Sequence, residues 1–204
     1  MRKRNTIKGN KFNGKEILEY KHRDIGMDTQ ILETIDEHLQ DALERHSKVL
    51  VVRFDVRFPE DESNRSFSKF QAEFMRKERR AGYDPSYVAV REVGEREGHP
   101  HYHEVLLVNG NNTQSIHKHI ENANAAMNLT LGLEHNEPTG LVHRCTDRKG
   151  PLRNGIMIHR DALFPDDEND AFRQASYLAK ESQKDTPNGM REVFASNLKR
   201  RKDK

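Results

Sequence analysis

The sequence predicts an α+β domain, an antiparallel sheet with helices packed on one side. Three observations carry that prediction. Residues 48–58 (KVLVVRFDVRF) are dominated by β-branched side chains and alternate at their end, as a strand should. Residues 87–93 and the run beginning at His101 flank a turn with Gly and Pro, residues 94–100, which reads as a hairpin. Around these strands lie segments with apolar residues at helical spacing.

Residues 1–26 lack sustained periodicity and read as a basic arm, with Arg2, Lys3, Arg4, Lys8, Lys11, Lys15 and Lys21. Asp28 is placed to cap a helix running to about Arg45, with Ile31, Leu32, Ile35, Leu39, Ala42 and Leu43 as its apolar stripe. After the first strand and a loop at 59–64, residues 66–81 read as an amphipathic helix with Phe67, Phe70 and Phe74 packed into the core. The hairpin follows, and its apolar run 105–108 predicts a buried strand that ends at Asn109-Gly110-Asn111. Residues 113–131 read as a helix, 140–145 and 155–160 as short strands, and 171–184 as the last helix. From Thr186-Pro187-Asn188-Gly189 onward the chain turns polar. The expected organisation is therefore an arm (1–26), one domain (27–184) and a polar basic tail (185–204).

Of the 204 residues, 33% are hydrophobic and 33% charged, so the core is modest and the surface thickly charged. Net charge is only +2, so a nucleic-acid footprint has to come from local clusters. One lies on the second helix, where Arg65, Lys69, Arg76, Lys77 and Arg80 are candidate DNA contacts, and 199–204 forms a basic tail. A lone cysteine, Cys145, excludes an internal disulfide framework and suits a reducing, cytoplasmic compartment. No apolar run approaches the roughly 20 residues that span a bilayer, and the basic N-terminus lacks the apolar stretch of a secretory signal.

Two motifs carry chemistry. In His101-Tyr102-His103, strand alternation puts both imidazoles on one face about 7 Å apart, a spacing that suits two ligands of one divalent metal. Across the hairpin turn Glu92 is the expected third ligand, a set suited to Mg²⁺ or Mn²⁺. Glu95 and Glu97 fall in the turn, and Glu104 points to the opposite face. His99 shares the parity of the pair and is the alternative to Glu92, which would favour Zn²⁺ or Mn²⁺. A second pair, His117-Lys118-His119, lies in a helix, where residues two apart diverge, and reads as solvated surface.

The other motif is Tyr177-Leu178-Ala179-Lys180, a phenol and an ammonium one helical turn apart. On a helical wheel Phe172, Ala175, Leu178 and Ala179 form a core stripe, while Arg173, Tyr177, Lys180 and Lys184 gather opposite. A tyrosine displayed among cations suits a nucleophile that approaches a phosphate. Lys180 could lower its pKa, move a proton or neutralise developing charge, and Arg173 and Lys184 could contact DNA.

In this order, residues 49–58, His101-Tyr102-His103 and Tyr177-x-x-Lys180 resemble the three motifs of the HUH endonuclease superfamily of rolling-circle replication initiators, relaxases and related transposases. The context Arg91-Glu92-Val93-Gly94 and Ser176-Tyr177-Leu178-Ala179-Lys180 is most similar to the replication-associated proteins of filamentous phages and related prophages. The resemblance implies a ferredoxin-like (RRM-like) palm with the nucleophile on a C-terminal helix. It also implies a Mg²⁺- or Mn²⁺-dependent nick in single-stranded DNA at an origin or hairpin. Tyr177 would take the 5′-phosphate and leave a 3′-hydroxyl to prime synthesis. A single tyrosine on that helix resembles the single-tyrosine branch, acting as a monomer or weak dimer with a host helicase and polymerase. Two other readings compete. A non-enzymatic DNA-binding prophage regulator on the same scaffold would have no use for an intact Tyr177, Lys180 and histidine pair. A cupin-type metal barrel would place a glutamate a few residues after the second histidine, where 105–108 is apolar.

Overall fold

The computed structural model describes residues 4–20, 25–58, 64–93, 99–134, 137, 139–145, 154–161, 166–181 and 190–199. In chain order, three two-residue strands, β1 (Thr6–Ile7), β2 (Lys11–Phe12) and β3 (Lys15–Glu16), precede β4 (Met27–Asp28) and helix α1 (Thr29–Arg45). Then come β5 (Lys48–Arg57), α2 (Arg65–Arg80), β6 (Ser86–Val93), β7 (Pro100–Asn109) and α3 (Ile116–Leu131). Strands β8 (Val142–Arg144) and β9 (Ile156–His159), helix α4 (Asp166–Ala175), a 3₁₀ turn at Ser176–Ala179 and β10 (Val193–Ala195) complete the described chain. Asp28 caps α1 as its sequence position predicts: Oδ1 accepts from the amides of Gln30 (3.0 Å) and Ile31 (3.3 Å).

The fold is α+β, built on one open antiparallel sheet of six strands. Its order is β10-β6-β7-β5, with β8 and β9 both pairing the far side of β5. Within it β5-α2-β6-β7-α3-β9 is a split βαβ arrangement, with β7 between the two parallel strands β5 and β6. An open sheet with helices between its strands excludes the barrel reading. Strand β5 lies against β7 from Val49 opposite Asn109 to Arg57 opposite His101.

Helices cover both faces of this sheet, not one. Val49, Val51, Val88, Val90, Val105 and Leu107 face α1 and α4, while Leu50, Val52, Phe54, Val56, Tyr102, Leu106 and Val108 face α2 and α3. Apolar residues fill both parities of β5 and β7, so neither face can be left to water. On the α2 face Phe67 stacks flat on Tyr102, centroids 3.9 Å apart.

Three further expectations change. The N-terminal segment is tied down: Ile17 is buried, and Leu18 donates its amide to Ser176 Oγ at 3.0 Å. Beyond the polar turn, β10 pairs β6 and buries Phe194, whereas 200–204 and 182–189 lie outside the described residues. His119 is buried, not solvated: its Nδ1 lies 2.7 Å from Glu78 Oε2 and Tyr83 meets its ring edge-on. It falls on the buried α3 stripe with Ala123, Ala126 and Met127, at the i, i+4, i+7, i+8 spacing that seats α3 on α2. Among the described residues no helix is long and apolar enough to cross a membrane.

Glu104, on the α2 face as expected, is fully buried against Gln71 Nε2 (3.0 Å). Burial, and secondarily the charge of Glu78, pushes its carboxyl up to about 8. An acid with a raised folded-state pKa holds more protons folded than unfolded, so stability falls as pH rises from the ordinary glutamate range, near 4.5, through about 8. Denaturant melts at pH 5 and pH 8 are expected to show Glu104→Gln gaining on the wild type as pH rises. A pH-independent difference would contradict this assignment.

Candidate functional site

Alternation along β5 and β7 sends Arg53, Asp55 and Arg57 to the α1/α4 face together with His101 and His103, and β6 adds Glu92. Glu92 stands directly opposite His101, and Asp55 directly opposite His103. His103 is buried and gripped from both sides, its Nδ1 2.6 Å from Asp55 Oδ1 and its Nε2 3.0 Å from Glu92 Oε2. Carboxylates only accept, so the ring donates from both nitrogens and is held as the imidazolium.

The electrostatics follow from that clamp. Burial opposes the charge on His103, but the hydrogen bonds to Asp55 and Glu92 outweigh it and raise its pKa. Burial likewise works against Asp55, yet the hydrogen bond and charge of His103, helped by Arg53, hold it down at about 2. His101 moves the other way, lowered by burial and by the nearby Arg57 and His103, so it is the neutral imidazole of the pair.

Tyr177 reaches this cluster from the far end of the chain. Its ring meets His103 edge-on with centroids 5.1 Å apart, and the Arg53 guanidinium lies over it at 3.9 Å. The Lys180 ammonium is 5.2 Å from the same ring and 6.0 Å from Tyr20. The carrier differs from the expected helix 171–184, because α4 ends at Ala175. There Ser176 Oγ donates to Arg173 O (2.7 Å) and accepts from Leu18, and the chain tightens into the 3₁₀ turn. It then runs beside the N-terminal segment, with Lys180 bridging Met27 and Glu181 N donating to Gly26 O. Lys180 is consequently buried, where the helical wheel placed it on a polar face.

The phenol is not activated in this arrangement. Burial, then the Glu92 carboxylate, raises the Tyr177 pKa, and Arg53 only partly offsets them. Half-buried Cys145 lies beside Asp55, and burial pushes its thiol to about 12, which removes it as a competing nucleophile.

Among the described residues no three His, Cys, Asp or Glu side chains form a ready-made metal cage. The donor set nevertheless fits a hard divalent cation. Glu92 Oε1 is buried without a hydrogen-bond partner. Asp55 on Nδ1 is the outer carboxylate that fixes a ligating histidine's tautomer and orientation. His101, Glu92 and His103 are thus the residues that could hold a metal.

Other predicted residues are placed elsewhere. His99 is exposed just outside the β6–β7 ladder, while Glu95, Glu97 and Lys184 lie outside the described residues. Arg173 is half-buried on α4, one turn before Tyr177. Arg65, Lys69, Arg76, Lys77 and Arg80 are all on α2, across the sheet from Tyr177. Asp55 and Arg53 were not anticipated. Their signal is the alternation of Arg53, Asp55 and Arg57 with the apolar Val52, Phe54 and Val56. Asn154 is another, bracing β5 between β8 and β9: its side chain accepts from Arg53 N (3.0 Å) and donates to Arg53 O (2.7 Å).

No curated protein and no solved structure matches the chain. The sequence model of a prophage-associated domain family, the YagK/YfjJ C-terminal domain, matches residues 7–195, from β1 to β10 and across every residue of the cluster. The chain belongs to the YagK/YfjJ C-terminal domain family.

Proposed function

We propose that this protein is a metal-dependent, site-specific endonuclease for single-stranded DNA, which nicks and rejoins through a 5′-phosphotyrosine at Tyr177 and so initiates rolling-circle replication of a prophage-type element. The observation that carries this reading is the contact between Tyr177 and His103, 5.1 Å between ring centroids. It brings the His-x-His motif and the Tyr-x-x-Lys motif to one point although they are far apart in the chain. The resemblance to HUH endonucleases and the prophage association of the family support the same setting.

In the reaction, Tyr177 Oη attacks the scissile phosphorus, the Tyr–O–P bond forms and the P–O3′ bond breaks. The phenol loses its proton and the departing 3′ oxygen gains one, so the step is proton-neutral. One phosphodiester replaces another, which keeps rejoining accessible. A divalent cation held by His101, His103 and Glu92 would supply Lewis-acid polarisation of the phosphate oxygens. His101, neutral by its lowered pKa, is already in its ligating form. Asp55 orients His103, and Lys180 supports the charge developing on the phosphate. Burial and the Glu92 carboxylate raise the Tyr177 pKa, so the phenol would keep its proton until the attack itself.

The binding-only reading has one observation in its favour. Tyr177 is packed between Arg53 and His103, as a structural tyrosine would be. A denaturing gel separates the two. With Mn²⁺ and end-labelled single strands carrying hairpins from the element's own neighbourhood, the wild type is expected to form a covalent adduct. Tyr177→Phe and His101→Ala are expected to lose it, and Lys180→Ala to slow it by about 10²-fold. DNA retained but never cut would favour the regulator.

Metal binding carries its own pH signature. His103 must surrender its Nε2 proton to become a ligand, and its raised pKa holds that proton to higher pH than an ordinary histidine would. Mn²⁺ affinity is therefore expected to rise with pH, with proton release seen when calorimetry is repeated in buffers of different ionisation enthalpy. Glu92→Gln is expected to weaken binding by about 10- to 100-fold. Affinity independent of both pH and Glu92 would count against the site.

A further inference from the structure

The outward face of α2 is a second charged surface, separate from the tyrosine cluster. At 3.6 residues per turn Arg65, Lys69, Arg76, Arg79 and Arg80 fall within an arc of about 100° and run the length of a helix about 24 Å long. Arg65, Lys69, Arg79 and Arg80 are exposed and Arg76 is half-buried. Ala72, exposed near the middle of the same arc, leaves room for the helix backbone to approach a partner closely. Glu73, paired with Arg76, is the acid at its border, and Glu78 is buried against His119. Lys69 donates to Thr130 O at 3.0 Å, which ties its ammonium to the C-terminal end of α3.

We infer that α2 is a docking face for double-stranded DNA, acting through the phosphates, on the opposite side of the sheet from Tyr177. Three further observations favour a duplex as the partner. The aromatic residues of α2, Phe67, Phe70 and Phe74, are fully buried, so the helix itself offers no platform on which the bases of a single strand could stack. The apolar side of α2 is consumed by the sheet, so α2 itself has no apolar face to lay on a membrane; the exposed Leu129, Leu131 and Leu133 belong to the end of α3 and the turn after it. A straight, rigid rod of cations matches the regular phosphate array of a duplex. The sheet lies between this stripe and Tyr177, so the duplex contact and the tyrosine cluster are separate sites. The inference does not depend on Tyr177 being reactive.

The test is fluorescence anisotropy with the full chain and a labelled duplex of about 20 base pairs, read against salt from about 50 to 200 mM. The variant Arg65→Gln/Lys69→Gln/Arg76→Gln/Arg80→Gln is expected to lose duplex affinity at least tenfold. Its log K against log salt slope should be shallower by about 3 to 4. Arg65→Lys/Arg76→Lys/Arg80→Lys keeps the charge and is expected to keep the slope, which separates lost charge from lost fold. An unchanged slope in the glutamine variant, a charge-conserving variant that fails equally, or an equal loss on a single strand of the same sequence would each overturn the inference. Because binding is read without cleavage, a protein that never nicks DNA would leave the result intact.

Discussion

The pairing of β5 with β7 is the constraint on which the rest depends. Because strand side chains alternate, one register decides at once what the core receives and what the site receives. With Asp55 opposite His103 and Val56 opposite Tyr102, polar groups gather on the α1/α4 side and rings on the α2/α3 side. A slip of one residue would drive Arg53 and Asp55 among the phenylalanines of α2 and strip His103 of its carboxylate. On the other side of β5, Asn154 satisfies the Arg53 backbone in the gap between β8 and β9.

The two faces of the sheet divide the chemistry. On one, a doubly bonded imidazolium, a neutral imidazole and an unsatisfied Glu92 oxygen lie beside a tyrosine stacked under Arg53. On the other, the apolar side of α2 is locked into the core by Phe67 on Tyr102, leaving its cations outward. Tyr102 belongs to both, since it separates the two histidines in sequence while anchoring the opposite core. Mutating it would loosen the packing beneath the strand that carries both histidines, so it is a poor probe of either.

Much of the fold was legible because it rests on local periodicity. The Asp28 cap, the β-branched run of β5, the hairpin and the phenylalanine stripe of α2 were all read within a few residues of where they form. Glu92 could be placed opposite His101 because a hairpin fixes register through its turn. Contacts between distant segments were less legible. Leu18 and Gly26 end α4 early, and nothing local to residues 176–184 announces them. His119 was readable in retrospect, since it lies on the same stripe as Ala123 and Met127. Helices on both faces were implied by the apolar residues at both parities of β5 and β7. Asp55 was missed because a single acid in a strand carries no motif until its cross-strand partner is known.

Whether the His-x-His and Tyr-x-x-Lys motifs share one metal centre can be read by ¹⁹F NMR of fluorotyrosine-labelled protein titrated with Mn²⁺. The chain has five tyrosines, and Tyr177→Phe assigns the resonance that matters. If the centre is shared, the Tyr177 signal broadens away first, at substoichiometric Mn²⁺, while Tyr83 and Tyr87 across the sheet stay sharp, and Glu92→Gln restores it. Uniform broadening only at large excess, or a different tyrosine broadening first, would contradict a shared centre.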